Sequence, residues 1–435
     1  MQLYQQIKRI ISSILLMKWL NIKLRNNINM KEDCDNMQLT KYEEDMYNGE
    51  YGEGKAECME ILVSLGKIYD AEKMIPITSA QVSGVSYKTI GDAGLDFVVD
   101  LGKKADVTLE TMLNPAGVDI ENWQELGFSK EFTDKQIDII NGYESIGVMS
   151  TCTCTPYLIG NTPMLNEHVA WSESSAVCYV NSVIGARTNR EGGPSALLAA
   201  IVGRTPYYGN HILENRVADM IFNVDYDFVN EAEIGALGYY VGQIVNDKKP
   251  YFRINKNPGR NNLKTLGAAL ASSGAVSLYH VENVTPEADY SRCHDSFEEL
   301  ETVTVDKNMI EETLEQLTTT DKIPDLVCLG CPHASISEIQ EVANLVKDKK
   351  LTKDLWICTS KAIKSISKQC GYLDIIEKAG GKIVSDTCMV VAPIEELDYE
   401  VIGVNSAKAA NYVPNMCKLD VVYDTVENLI NMISE

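Results

Sequence analysis

The last third of the chain alternates short apolar runs with amphipathic segments, and this alternation constrains the fold more than any other feature. Four apolar runs predict strands, and the segments between them have helical periodicity. The predicted strands are 325–329, 355–358, 382–384 and 401–404. Strands and helices that alternate in this way form a parallel, doubly wound sheet. We therefore expect an α/β fold, with two or three domains in 435 residues.

The sequence divides into three parts. Residues 1–36 are basic and partly apolar, and we expect them to be a dispensable extension, with the folded chain starting near Met37. Lys18 interrupts their apolar run, which is far shorter than the roughly 20 residues of a membrane span. Residues 37–320 form one α/β region, in which 40–69 is predicted to be helical and 96–100 to be a strand. Residues 321–435 form the C-terminal doubly wound domain.

The charge of the chain restricts its partners. The formal net charge is -23, which argues against a nucleic-acid binder because phosphates would be repelled over the whole surface. An anionic substrate would need a local basic pocket. The 12 cysteines lack the density of a secreted disulfide scaffold, so free thiols and metal ligands in a reducing cytoplasm explain them better.

Three widely separated cysteines lie on turns: Cys154, Cys331 and Cys388. Ligands of doubly wound sheets bind outside the carboxyl ends of the strands, so the loops carrying Cys331, Cys388, Lys361 and Ser406 should converge. Three separated thiolates suit an iron–sulfur cluster in which one iron has no protein ligand. Such an iron is a Lewis acid that can remove a hydroxyl group from a substrate.

The cysteine spacing also allows a different interpretation. Cys328 and Cys331 form a C-x-x-C pair, which by itself indicates either zinc binding or redox chemistry. A structural zinc site needs a second close pair, and Cys152 with Cys154 is poorly spaced for it. Cys328 falls inside a predicted strand, where a buried thiol is usual. A structural zinc protein therefore stays an alternative to the cluster.

Seven segments occur in the same order as in the aconitase X family, from about Met37 to the end of the chain. They are Ser83–Tyr87, Asn114–Gly117, Thr153–Tyr157, Glu167–Ser174, Gly185–Gly193, Gly330–His333 and Asn405–Lys408. The chain thus resembles the large, catalytic subunit of that family. The resemblance implies an aconitase-like fold of several doubly wound α/β domains around a 4Fe–4S cluster.

The resemblance also implies an activity. Members of the family are dehydratases of two kinds, one acting on (R)-5-phosphomevalonate in the archaeal mevalonate pathway and one on cis-3-hydroxy-L-proline. The first forms trans-anhydromevalonate 5-phosphate. In both, a small swivelling domain closes the site. No such domain follows Glu435, so we expect a separate small subunit, an arrangement more like that of the phosphomevalonate enzyme.

The family pattern gives each matching residue a role. Cys154, Cys331 and Cys388 resemble the cluster ligands. The residues that resemble substrate contacts are Gly84, Val85, Ser86, Asn114, Pro115, Glu173, Ser174, Lys361, Ser406 and Lys408. One departure is Gln81, where many relatives are expected to have histidine; a glutamine can still donate a hydrogen bond.

The expected reaction needs a base and an acid. Eliminating water from a β-hydroxy acid removes a proton α to the carboxylate and protonates the departing hydroxyl. Ser406 is our hypothesis for the base, with its pKa lowered by the nearby cation Lys408. In the alternative, both residues only bind substrate oxygens. His333 is a candidate acid or a hydrogen-bond donor beside a cluster ligand, and His168 has similar standing.

Two further interpretations remain beside the leading one of a phosphomevalonate hydro-lyase. A cis-3-hydroxyproline dehydratase would use the same chemistry. An iron-sensing regulator that binds RNA after losing its cluster is a different class, against which the charge of -23 counts. We expect a small anionic substrate and a small subunit as partners, and neither nucleic acid nor membrane.

Overall fold

Three parallel β-sheets, each packed against helices, organise residues 37–435, the part of the chain that the computed structural model describes. The predicted extension, residues 1–36, lies outside the described residues. Within residues 39–435 the chain forms one unit.

The first region is built on a three-stranded sheet. Its strand order is β3-β2-β4, all parallel, and a separate antiparallel ladder joins β1 to β5. The strands are β1 (Met74–Pro76), β2 (Ser79–Val82), β3 (Glu110–Leu113), β4 (Ala170–Trp171) and β5 (Arg204–Pro206). The helices are α1 (Lys41–Tyr47), α2 (Glu53–Ile68), α3 (Tyr87–Gly102), α4 (Lys130–Ser145), α5 (Ser174–Tyr179) and α6 (Gly193–Val202). The helix predicted over 40–69 is therefore two helices, the first capped by the side chain of Thr40.

The predicted strand at 96–100 was wrong, because these residues belong to α3. The buried residues of this helix include Gly94, Val98 and Leu101, which are spaced at i, i+4 and i+7 and so share one helical face. Val98 packs so closely on Gly142 of α4 that a Cβ there would lie 2.9 Å from its side chain. The β-branched pair at 98–99 suggested a strand, but helix packing decided the structure.

The second region holds a four-stranded parallel sheet in the order β8-β7-β6-β9. Its strands are β6 (Met220–Val224), β7 (Pro250–Arg253), β8 (His280–Val281) and β9 (Thr302–Val305). Its helices are α7 (Glu231–Val245), α8 (Arg260–Ser273), α9 (Ala288–Arg292) and α10 (Lys307–Leu317). Small residues let α7 and α8 pack tightly: a Cβ on Gly238 would lie 2.7 Å from the carbonyl oxygen of Leu266.

The C-terminal sheet confirms the predicted doubly wound fold. Five parallel strands lie in the order β12-β11-β10-β13-β14. They are β10 (Leu326–Leu329), β11 (Asp354–Thr359), β12 (Lys382–Ser385), β13 (Val401–Val404) and β14 (Asp420–Tyr423). The helices are α11 (Ile336–Val346), α12 (Lys361–Gln369), α13 (Tyr372–Ala379), α14 (Ala407–Met416) and α15 (Val426–Met432). The order reverses at β10, between β11 and β13, so a switch point lies at the strand end that carries Cys331.

The loops of the first region meet those of the C-terminal sheet. Ser86 Oγ donates to the carbonyl oxygen of Val391 at 2.8 Å. The backbone N–H of Ala116 donates to the carbonyl oxygen of Asp386 at 2.7 Å. These contacts join residues about 300 and about 270 positions apart in the sequence. They bring the predicted substrate loops of the first region to the loops of the C-terminal sheet. Over residues 37–435, no helix is long and apolar enough to cross a membrane.

Candidate active site

The three predicted ligand cysteines lie on loops that converge. Cys331 follows β10, Cys388 follows β12, and Cys154 lies between α4 and β4. All three are more than nine-tenths buried. Burial raises the pKa of Cys388 well above its usual value, and the nearby thiols of Cys331 and Cys154 raise it further. The sulfurs thus share one electrostatic environment.

Hydrogen bonds and a cation oppose part of the rise that burial causes in the pKa of two of these cysteines. The backbone N–H of His333 donates to Cys154 Sγ at 3.1 Å. Burial raises the pKa of Cys331 to about 11, but the ammonium of Lys408 and a hydrogen bond with Ser406 act in the opposite direction. Burial likewise raises the pKa of Cys154 to about 12, with the Glu173 carboxylate adding to it and Lys408 opposing it.

Glu173 and Lys408 form a buried ion pair beside the cysteines, with Lys408 Nζ donating to Glu173 Oε1. Glu173 caps α5, and its Oε2 accepts hydrogen bonds from Ser175 Oγ at 2.6 Å and from the backbone N–H of Ala176 at 2.7 Å. Burial raises the pKa of Glu173, but Lys408 and these donors outweigh it and leave the pKa below its usual value. Burial lowers the pKa of Lys408, yet the Glu173 carboxylate holds it above its usual value. Both groups therefore stay charged.

Ser406 is the N-cap of α14, and its Oγ accepts the backbone N–H of Ala409 at 3.2 Å. Lys408 is the second residue of the same helix, and Ser406 and Lys408 both act on the Cys331 thiol, so the hydroxyl lies at a helix N-terminus with a cation in its surroundings. Each of these stabilises negative charge on an oxygen. Ser406 and Cys331 also line a cavity of about 1040 Å³, which is large enough for a small substrate.

Gln81 joins two of the predicted substrate loops to the loop of Cys154. Its Nε2 donates to the carbonyl oxygen of Thr153 at 3.2 Å and to Asn114 Oδ1 at 3.4 Å. Its Oε1 accepts the backbone N–H of Glu173 at 3.2 Å. The side chain is fully buried. The residue that departs from the expected family pattern therefore has a complete hydrogen-bonding role.

The other predicted substrate residues occupy two nearby corners. Gly84 has a φ of 77°, a turn conformation that glycine adopts without strain. Val85 and Ser86 follow it, and Ser86 is the N-cap residue of α3, although its hydroxyl makes no capping hydrogen bond. Asn114 and Pro115 come directly after β3, and Ser174 is the first residue of α5. The structure thus brings the glycine turn, the end of β3 and the start of α5 to the edge of one parallel sheet.

Lys361 and a residue that the sequence analysis missed form the other corner. Lys361 Nζ lies 3.3 Å from Asp386 Oδ2 and 3.3 Å from Glu121 Oε1. Asp386 is fully buried, and beyond the ion pair with Lys361 its carboxylate oxygens have no hydrogen bond of good geometry among the described residues. Burial raises the pKa of Asp386 to about 7 despite Lys361. Asp386 stands only two residues before Cys388, and that position was the available signal.

The two predicted histidines differ in their surroundings. The ring of His333 lies among the cysteine loops, with Nδ1 3.0 Å from Thr153 Oγ1 and Nε2 3.0 Å from the carbonyl oxygen of Thr387. Burial lowers the pKa of His333 to about 4. His168 instead pairs with His211, Nδ1 to Nδ1 at 3.0 Å. No three His, Cys, Asp or Glu side chains of the described chain are placed to hold a single metal ion.

Family models match nearly the whole described chain. The first domain of aconitase X matches residues 36–214, the second domain residues 218–315, and the third domain residues 324–435. These boundaries separate the three sheets.

Several proteins are similar to this chain over most of its length. The phosphomevalonate dehydratase large subunit of Methanothermobacter thermautotrophicus is 57% identical, and 90% of this chain matches 98% of that protein. The phosphomevalonate dehydratase large subunit of Methanocaldococcus jannaschii is 51% identical, and 91% of this chain matches 99% of that protein. A cis-3-hydroxy-L-proline dehydratase from Pseudomonas aeruginosa is 31% identical, with 87% of this chain matching 67% of it. The crystal structure of Thermococcus kodakaraensis aconitase X in its holo form superposes with a TM-score of 0.85 at 44% identity, covering 91% of this chain and all of that one.

Proposed function

The chain belongs to the aconitase X family, and from this premise we propose that it is the large, catalytic subunit of an iron–sulfur hydro-lyase. Its proposed reaction is the dehydration of (R)-5-phosphomevalonate to trans-anhydromevalonate 5-phosphate. The observation that carries this proposal is the meeting of three cysteine loops at the buried Glu173–Lys408 pair. The substrate is supported by relatives of that name at 45–57% identity.

The residues fit an iron–sulfur cluster. Cys154, Cys331 and Cys388 would hold it, because they are free thiols near one another and Cys154 Sγ already accepts a backbone N–H. When bound, a 4Fe–4S cluster with three protein ligands supplies an open iron that acts as a Lewis acid toward a hydroxyl group. The cation Lys408 offsets negative charge on the thiolates. The eleven described cysteines are all free, which suits the reducing cytoplasm that we propose as the location.

The remaining chemistry falls to the side chains around the cysteines. Lys408 is the fixed cation toward which a substrate carboxylate is drawn. We propose Ser406 as the base that takes the proton from the carbon α to that carboxylate, because the α14 N-terminus and Lys408 both lower the energy of its alkoxide. The substrate would be bound and oriented by the other predicted contacts, which are Gly84, Val85, Ser86, Asn114, Pro115, Glu173, Ser174 and Lys361.

Replacing Ser406 by alanine tests the base. Ser406→Ala should lower kcat by at least about 100-fold, the contribution of a positioned base, and leave the visible spectrum of the cluster intact. Ser406 is also an N-cap, so Ser129→Ala, which removes the N-cap hydrogen bond of α4, controls for the loss of a cap. Turnover retained in Ser406→Ala would show that the residue only binds substrate oxygens.

A small partner subunit is part of the proposal. This chain matches 98% of a phosphomevalonate dehydratase large subunit but only 67% of a hydroxyproline dehydratase, so about one third of the latter has no counterpart here. We propose that a separate small subunit supplies that part. The similarity to the hydroxyproline dehydratase makes cis-3-hydroxy-L-proline the second candidate substrate.

One anaerobic experiment separates these candidates. The chain is purified and reconstituted without oxygen, combined with a small subunit of the family, and assayed on both substrates. A brown protein that dehydrates only phosphomevalonate supports the proposal, whereas turnover of hydroxyproline favours the second candidate. A colourless protein with stoichiometric zinc would refute the cluster and favour a structural role.

A further inference from the structure

A single residue, His333, contacts all three cysteine loops. It lies two residues after Cys331 on the same loop. Its ring Nδ1 lies 3.0 Å from Oγ1 of Thr153, the residue before Cys154, and its Nε2 lies 3.0 Å from the carbonyl oxygen of Thr387, the residue before Cys388. The ring therefore bridges two loops while the backbone belongs to the third.

The main chain of His333 extends this connection. Its N–H donates to Cys154 Sγ at 3.1 Å, and its carbonyl oxygen accepts from Lys264 Nζ at 3.2 Å. Lys264 belongs to α8 in the second region and is ion-paired with Glu338 on α11. One residue thus joins elements from all three sheets.

The hydrogen-bond partners determine where the ring protons lie. The carbonyl of Thr387 can only accept, so Nε2 carries a hydrogen and donates to it. In a neutral imidazole Nδ1 then accepts the hydroxyl hydrogen of Thr153. Thr153 Oγ1 in turn lies 3.2 Å from both the backbone N–H and the Oγ1 of Thr155. Each polar atom of this network has a partner.

This arrangement leaves the ring without a free proton to transfer. His333 has no exposed surface, and a substrate could reach its Nε2 hydrogen only by breaking the bond to Thr387. A proton donor would need an N–H directed toward the substrate. The contacts instead resemble those around a metal site, where residues behind the ligands hold them in orientation.

We propose that His333 is a positioning residue, whose ring and main-chain hydrogen bonds hold the loops of Cys154, Cys331 and Cys388 in the arrangement that the iron–sulfur cluster needs. The inference rests on the cluster of the proposed function. It makes His333 a determinant of cluster retention and removes it from the proton-transfer steps.

The test compares variants that keep or remove individual contacts. His333→Ala removes the ring, whereas His333→Gln keeps an amide N–H in reach of the Thr387 carbonyl. Thr153→Val removes only the hydroxyl donor, and Thr153→Ser keeps it. His280→Gln is the control, since His280 is equally buried and also bonds a backbone carbonyl, that of Arg216 at 2.8 Å.

The readout is the rate at which a chelator removes iron from the anaerobically reconstituted protein, followed by visible absorbance. We expect about 10- to 100-fold faster loss in His333→Ala, the effect of losing a partner behind a metal ligand. His333→Gln and Thr153→Val should fall between His333→Ala and the wild type, while Thr153→Ser and His280→Gln behave as the wild type. The pH profile of any remaining turnover should not change.

Two results would overturn the inference. One is wild-type iron retention in His333→Ala together with a pH profile that loses one limb, which would identify a proton donor. The other is equal loss of iron in His280→Gln and His333→Ala, which would indicate general destabilisation. Failure of the wild-type chain to bind iron would refute the proposed function itself. If His333→Ala does not fold, the Thr153 pair decides the question, since only the valine variant should lose iron faster.

Discussion

Removing the cation of the buried Glu173–Lys408 pair should destabilise the fold by several kcal/mol. Lys408→Met keeps most of the side-chain volume but leaves the Glu173 carboxylate without a cation in a site where both side chains are less than one-tenth exposed. Breaking a buried pair from one side typically costs about 3–5 kcal/mol. The hydrogen bonds from Ser175 and Ala176 remain and partly satisfy the charge, so we expect about 3 kcal/mol.

The cost should depend on pH with a definite sign. Without Lys408, burial raises the folded-state pKa of Glu173 above that of the unfolded chain. A carboxyl with a raised folded pKa destabilises the fold as pH rises, so Lys408→Met should be most harmful near pH 8 and less so near pH 5. Adding Glu173→Gln should restore at least half of the lost stability and remove the pH dependence.

Urea denaturation of the cluster-free chain measures this. Trp171 is fully buried two residues before Glu173, so it contributes to the tryptophan fluorescence that follows unfolding. The wild type, both single variants and the double variant form a cycle that isolates the coupling between the two residues. A cost below about 1 kcal/mol for Lys408→Met, the range of exposed ion pairs, would refute the reasoning. It would also be refuted if the double variant lost as much unfolding free energy as the two single variants lose together.

Two further predictions concern packing and protonation. Gly193→Ala should lower the free energy of unfolding by about 1–3 kcal/mol and weaken substrate binding, because the added Cβ would lie 2.1 Å from the carbonyl oxygen of Ser83. Gly192→Ala is the control and should be nearly neutral, since its Cβ would have nothing nearer than 3.7 Å. Equal melting temperatures of the two variants would contradict this. Burial lowers the pKa of His280 to about 4 and that of His211 to about 3. The unfolded chain therefore binds more protons than the folded chain below pH 6.5, and acid should destabilise the fold. His280→Gln should reduce the slope of unfolding free energy against pH by about 1.4 kcal/mol per pH unit, and an unchanged slope would exclude the neutral buried ring.

The C-terminal sheet could be predicted because its elements follow local rules. Four of its five strands, β10 to β13, are apolar runs that are buried throughout apart from residues at their ends, and helical periodicity fills the gaps between them. The fifth strand, β14, was not predicted. The run at 96–100 shows where such rules fail. Phe97, Val98 and Val99 have the composition of a strand, and only the position of the neighbouring α4 makes a helix the better packed alternative.

The candidate site was predictable in part for the same reason. Loops after parallel strands of one sheet converge by topology, so the proximity of Cys331 and Cys388 followed from the strand order alone. No such rule places Cys154 or Glu173 beside Lys408, since the pair is 235 residues apart and joins two sheets. That part of the prediction depended on the ordered motifs. Asp386 was missed because its position two residues before the candidate ligand Cys388 was the only signal, and a polar residue at that distance is common.

Gln81 shows how a glutamine can fill a position where we expected a histidine. A neutral histidine has one N–H and one ring nitrogen that accepts, so it serves two partners. The Gln81 amide serves three: its nitrogen donates to Thr153 and Asn114, and its oxygen accepts from Glu173. A glutamine at this position therefore connects the loop of Cys154, the end of β3 and the start of α5 at once. Because an amide does not titrate, Gln81 has no proton-transfer role, and its three hydrogen bonds give it a structural one.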